Sequence, residues 1–209
     1  MMPIFWEDGA MRRRSILKML GAGAIAACPL CGGSAMAAGK GGAHWAYEGA
    51  EGPNHWGGLD GGFAACSSGR QQSPVDLRDS TPAGLEEVQT FWRPVPLDIL
   101  NNGHTIQVNT GGGGFMVLDG RKFDLLQFHF HHPSEHTLYG EKFPMEVHFV
   151  HKSADGDLGV LGVFMTEGEA NPTINTIWRN VAVKGGSRKG EDFVTPDTLL
   201  PDDRAYFRY

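Results

Sequence analysis

Two short segments constrain this chain more than any other part of it: FDLLQFHFH at 123–131 and MEVHFVHK at 145–152. Both are rich in Phe and Val and alternate in character, the pattern of a β-strand. Side chains two apart on a strand share a face. Gln127, His129 and His131 therefore point one way, and Glu146, His148 and Val150 share a face on the second strand. The intervening residues include Pro133, Gly140 and Pro144, which let the strands return antiparallel. Two imidazoles from one strand and one from its neighbour then converge. Three neutral nitrogen donors with an open fourth position are the ligand set of a catalytic zinc site. Neutral donors leave the full metal charge available to acidify a bound water. Ligating histidines need a partner for the second ring nitrogen. Gln127 and Glu146 each stand two residues before a candidate ligand, His129 and His148. A lone H-x-H pair would be an ordinary surface or packed pair. A third histidine with its own glutamate tips the balance to a metal, because burying three unpartnered imidazoles together is costly.

The rest of the chain reads as one mostly β domain with a few short helices. From about residue 75, short β segments alternate with turn residues: LDILNNGHTIQVNT, GFMVLD, KFDLLQFHFH, MEVHFVHK and LGVLGVFMT. Gly111 to Gly114 and Asp155-Gly156-Asp157 are expected turns. Asn171 to Val183 is the best helix, with Ile174, Ile177, Trp178 and Val181 at helical spacing. Residues 43–74 have little periodicity and are expected to be ordered by Trp45, Tyr47 and Trp56. The net charge of −6, with no basic stripe, argues against nucleic-acid binding, and no apolar run is long enough for a stable membrane span.

The segment SEHTLYGEKFPMEVHFV resembles the signature of the α-class carbonic anhydrases at Ser134, Glu135, His136, Leu138, Phe143, Glu146, Val147, His148, Phe149 and Val150. HWAYEG at 44–49, GPNHW at 52–56, QQSPVDL at 71–77, LNNGHTIQV at 100–108, QFHFHHPSEH at 127–136 and LGVLGVFM at 158–165 are similar to that family in the same order. The resemblance covers about residues 43–209. It implies a single domain built on a central, largely antiparallel twisted sheet, and reversible hydration of CO2 to bicarbonate by attack of zinc hydroxide. By the same resemblance Zn2+ is held by His129, His131 and His148, with Gln127 and Glu146 behind them. His104 is the proton shuttle, suited by a side-chain pKa near neutrality, and Glu135 is the second catalytic residue, accepting a threonine's proton. Asn102 and Gln107 order water, and Val150 and Val160 wall the CO2 pocket. His136 and His151 match buried structural histidines, His44 and His55 are expected to be structural or on the surface, and His132 receives no role. Sulfonamide-type inhibitors are expected to bind.

The N-terminus reads as an export signal over residues 1–37, with a linker at 38–42. Arg12, Arg13, Arg14 and Lys18 precede a short apolar stretch, and Ala35-Met36-Ala37 forms an A-x-A cleavage site. Met11 is an alternative initiator. Arg13-Arg14-Ser15-Ile16-Leu17-Lys18 resembles a twin-arginine address. A periplasmic or secreted protein follows, with a lipid anchor at Cys28 as the alternative. Cys28 and Cys31 fall within this leader, leaving Cys66 the odd cysteine of the exported chain.

The chain departs from the family pattern at LLPDDRAYFRY, where relatives run on into a Gly-Ser-Leu-Thr-Thr-Pro-Pro-like segment and further strands. The resemblance then implies that Glu135 lacks its threonine, that Cys66 lacks its partner, and that C-terminal strands are missing, leaving exposed sheet edges and a marginal fold. Two readings compete with the enzyme: a non-catalytic zinc-binding module of the same fold, and a zinc hydrolase of another kind.

Overall fold

The computed structural model describes residues 15–19 and 43–209. Most of the expected leader, the linker, Cys28 and Cys31 lie outside the described residues. The chain divides into two compact units, residues 21–75 in one and residues 1–20 with 76–209 in the other.

In the first unit, residues 43–75 are held much as their composition suggests. The rings of Trp45, Tyr47 and Trp56 pack edge to face, with centroids 5.2–6.0 Å apart. The Trp56 indole N–H donates to the carbonyls of Ala46 and Glu51, at 3.0 Å each. Two single-turn helices, α1 (Trp56–Leu59) and α2 (Ala65–Ser68), pack where Gly57 has no Cβ: an added methyl would meet Ser67 Oγ at 2.4 Å. Cys66 sits on α2 as a free thiol.

The second unit is a ten-stranded sheet. Its strands are β1 (Ser15–Met19), β3 (Gln89–Trp92), β4 (Val95–Asn101), β5 (Ile106–Asn109), β6 (Gly114–Leu118), β7 (Arg121–His131), β10 (Met145–Ser153), β11 (Leu158–Met165), β12 (Gly186–Val194) and β13 (Tyr206–Arg208). The order is β12-β4-β5-β7-β10-β11-β1-β13, with β3 and β6 branching from β7. Every pairing is antiparallel except β1 with β13. Ser15–Met19, inside the stretch read as a leader, thus runs as a strand against β11. A smaller sheet joins β2 (Asp76–Leu77), β8 (Thr137–Leu138) and β9 (Glu141–Lys142).

The expected turns are present. At Gly111, Gly112 and Gly114 the backbone has positive φ, and a Cβ on Gly114 would sit 2.1 Å from the Phe91 carbonyl oxygen. Only glycine fits where β6 starts against β3. The helix α3 spans Pro172–Asn180, starting one residue later and ending three residues earlier than its apolar spacing suggests. Asn171 caps it, accepting from the N–H groups of Thr173 and Ile174. Val181 leaves the helix for extended backbone, and its apolar side chain packs on the core from there. Among the described residues no helix is long and apolar enough to cross a membrane.

One irregularity decides where the histidines point. Opposite β10, the register jumps from Gln127↔Val150 to Leu125↔His151, which leaves Leu126 as an extra residue on β7. Such a bulge reverses the facing of every later side chain. Before it Phe123 and Leu125 enter the core; after it Phe128 and Phe130 do. Without it, Gln127, His129 and His131 would continue the inward row of Phe123 and Leu125.

Candidate metal centre

His129 and His148 are directly paired across β7 and β10, and His131 pairs with Glu146 one step along the same face. One nitrogen from each of His129, His131 and His148 lies within 4.8 Å of the others. The three expected ligands therefore meet at a point, two from one strand and one from the next.

The ring orientations are set from behind. Gln127 Oε1 lies 2.8 Å from His129 Nδ1, so Nδ1–H donates to it and Nε2 is left to face the centre. Glu146 Oε1 lies 2.8 Å from His148 Nε2, which turns His148 Nδ1 inward. Both sequence-assigned supporting residues thus stand where a ligating imidazole needs them.

Glu146 does more than orient one ring. It is fully buried, and Oε1 also accepts from His136 Nδ1 at 2.6 Å. Its Oε2 accepts from the backbone N–H groups of Glu135 and His136, each at 3.0 Å. Burial alone would raise its pKa, but the hydrogen bonds from His136 and His148 hold it far below the usual carboxylate range. His136, Glu146 and His148 also fall within metal-binding spacing of one another, but hydrogen bonds already use these atoms. From His136 the network continues to Tyr209 Oη, 2.5 Å from Nε2. Tyr209 is 73 positions away, and no local sequence signal joins it to this site.

The donor set suits a divalent metal. Burial, reinforced by the neighbouring imidazoles, lowers His129 well below its ordinary pKa and His131 to about 3, so both are neutral. Burial opposes a proton on His148 as well, but the carboxylates of Glu146 and Glu135 outweigh it and raise its pKa. Three imidazole nitrogens are donors that zinc accepts readily.

The remaining assigned residues surround this point unequally. Gln107 lies beside His129 across β5 and β7, and its amide donates to Asn109 Oδ1 at 2.7 Å. Asn109 was not singled out in the sequence, although it follows Gln107 at strand period and pairs with Gln127. Val150 pairs with both Gln127 and Val160, forming an apolar step next to the histidine row. His104 is exposed on the turn between β4 and β5. Asn102 shapes that turn, its Oδ1 accepting from the N–H groups of His104 and Thr105 at 2.9 and 2.8 Å. Glu135 is closer to the centre than its expected role required: Oε2 lies 3.3 Å from His131 Nε2 and 3.8 Å from His148 Nδ1. Of the other histidines, His151 is buried, with Nδ1 3.0 Å from the Phe149 carbonyl oxygen. His132 is exposed and pairs with the Pro144 carbonyl, and His44 pairs with Glu51.

A family model described as eukaryotic-type carbonic anhydrase matches residues 51–209. The carbonic anhydrase of Pectobacterium carotovorum is 42% identical over 169 residues, covering 79% of this chain and 68% of that protein. The carbonic anhydrase of Nostoc sp. is 38% identical over 213 residues, covering 97% and 79%. Among solved structures, the α-carbonic anhydrase of Thermovibrio ammonificans, in complex with the inhibitor sulfanilamide, is similar with a TM-score of 0.71. It shares 41% identity over 78% of this chain and 74% of that chain. A twisted antiparallel sheet bearing three convergent imidazoles is the frame of a lyase that hydrates CO2. This chain belongs to the α-carbonic anhydrase family, whose members are zinc enzymes.

Proposed function

We propose that the chain catalyses reversible hydration of CO2 to bicarbonate and a proton, with Zn2+ held by His129, His131 and His148. The observation that carries this reading is the meeting of three imidazole nitrogens within 4.8 Å on two paired strands. Zinc held there supplies a bound water acidified to a pKa of about 7, a figure for which carbonic anhydrase is itself the source system. The chain's residues supply the rest. Gln127 and Glu146 fix the tautomers of His129 and His148. Val150 and Val160 present apolar surface to CO2 and exclude water from one side. Gln107 offers a polar group next to His129 along which water can be ordered. His104, exposed on its turn, passes the released proton to bulk solvent. By likeness to the Thermovibrio protein, sulfonamides bind at the same centre.

Stopped-flow CO2 hydration tests this. Zinc-loaded protein should show activity that sulfanilamide inhibits, and His104→Ala should lower kcat by roughly 10²-fold while sparing kcat/KM. Stoichiometric zinc without CO2 hydration would instead favour a non-catalytic zinc-binding module. The position of Glu135 beside two of the inward nitrogens is the observation that favours that second reading. The export signal and periplasmic or secreted location belong to the same proposal and rest on the Arg12–Ala37 stretch. Cell fractionation with a twin-lysine variant at Arg13 and Arg14 tests them, the variant being retained in the cytoplasm.

A further inference from the structure

We propose that Asn109 is a positioning residue for the reaction, holding the Gln107 amide so that its carbonyl oxygen is the end offered to ordered water, an inference that rests on the CO2-hydration reading above. Four polar residues on β5 and β7 form a square. Gln107 is paired with His129, and Asn109 with Gln127. Directly paired residues of an antiparallel ladder project from the same face. All four side chains therefore stand on the histidine side of the sheet, and all four are half-buried.

The bonds along the two strands match. On β7, Gln127 Oε1 accepts from His129 Nδ1 at 2.8 Å. On β5, Asn109 Oδ1 accepts from Gln107 Nε2 at 2.7 Å. Asn109 thus stands to Gln107 as Gln127 stands to His129, one rung removed and fixing the orientation of the group ahead of it. A glutamine amide has two orientations, related by exchange of its oxygen and nitrogen ends. Flipping Gln107 alone would set its carbonyl oxygen against that of Asn109, two acceptors with no proton between them. With Nε2 committed to Asn109, Oε1 is the acceptor left for water. A water that donates to Oε1 keeps its lone pairs for the next water, which is the sense of order a departing proton needs.

The test is stopped-flow CO2 hydration by the zinc-loaded full chain, with Asn109→Ala, Asn109→Leu, Gln107→Ala and the double variant Gln107→Ala/Asn109→Ala. Zinc content and circular dichroism identify loaded, folded protein, and Asn109→Leu keeps the side-chain volume should the smaller residue not fold. Both Asn109 variants should lower kcat about 5-fold, the scale of one neutral hydrogen bond, with kcat/KM for CO2 unchanged. The double variant should be no slower than Gln107→Ala, because Asn109 acts only through that amide. Imidazole added as a diffusible proton acceptor should restore kcat in the Asn109 variants, which a general loosening of the fold would not allow. Wild-type kcat in the folded Asn109 variants, additive losses in the double variant, or a loss that imidazole leaves untouched would each overturn the proposal and leave the hydration reading intact. Absence of CO2 hydration by the zinc-loaded wild type would overturn that reading and this inference with it.

Discussion

The ladder formed by β7 and β10 has two faces of different chemistry. The inner face carries Phe128, Phe130, Val147 and Phe149, at 0–4% exposure. The other face carries Gln127, His129, His131, Glu146 and His148, of which Glu146 is as deeply buried as any phenylalanine. The inner face is held by removing apolar area from water and by ring packing, with Phe149 centroids 4.5 Å from Trp92 and 5.6 Å from Phe128. The histidine face is held by three hydrogen bonds to the Glu146 carboxylate, with His148 beside it; without them that carboxylate would cost several kcal/mol to bury. The same backbone therefore supports a face that tolerates similar shapes and a face that tolerates few changes in donors or acceptors.

Substitutions on each face separate these two kinds of support. The largest effect is expected for His129→Ala, which should abolish stoichiometric zinc uptake and CO2 hydration. His129 makes one side-chain hydrogen bond, to Gln127, so the metal-free chain should lose about 1 kcal/mol in denaturant unfolding. Phe149→Ala should do the reverse. It should cost about 3–5 kcal/mol of stability, while the folded fraction still binds one zinc per chain by metal analysis.

A smaller effect is expected at His151, the one histidine on the inner face, stacked on Trp92 at 5.5 Å. Burial lowers its pKa from 6.5 to about 4. The fold favours the neutral ring, so this contribution is complete above pH 6.5 and is lost as pH falls toward about 4, reaching roughly 3 kcal/mol. His151→Gln should flatten the loss of stability across that window by this amount, measured on metal-free protein. If wild type and variant lose stability in parallel, the inner face does not hold His151 neutral. The smallest effect is expected for Gln127→Ala. Losing the acceptor for His129 Nδ1 should weaken zinc about 10-fold in chelator competition, with little change in stability.

Much of this was legible because alternation and ligand spacing are local. His129, His131 and His148, their partners Gln127 and Glu146, and the β segments all follow from period two and from what an imidazole needs on its second nitrogen. The edge strand β12, GSRKGEDFV, was not legible, because its side chains are mostly exposed and carry no apolar alternation. Tyr209 escaped because its contact with His136 spans 73 positions. The approach of Glu135 to the inward nitrogens arises from the turn after β7 and its bond to Glu146, which residue type alone does not specify.

The extra residue Leu126 gives β7 something like a reading frame. Exposed and packed on little, it can be exchanged for many residues at small cost. Its deletion would bring Leu125 and Gln127 together as consecutive partners of His151 and Val150, so Phe123, Leu125, Phe128 and Phe130 would run as one unbroken inward row with the histidines still on the other face. What would go is the bulge itself, with the bond from Thr110 N–H to the Leu126 carbonyl at 3.1 Å. The facing of the histidines is thus carried by the extra residue between Leu125 and Gln127 being absorbed out of the ladder, and a mutant that kept Leu126 but paired it regularly would be the one to turn the histidines inward.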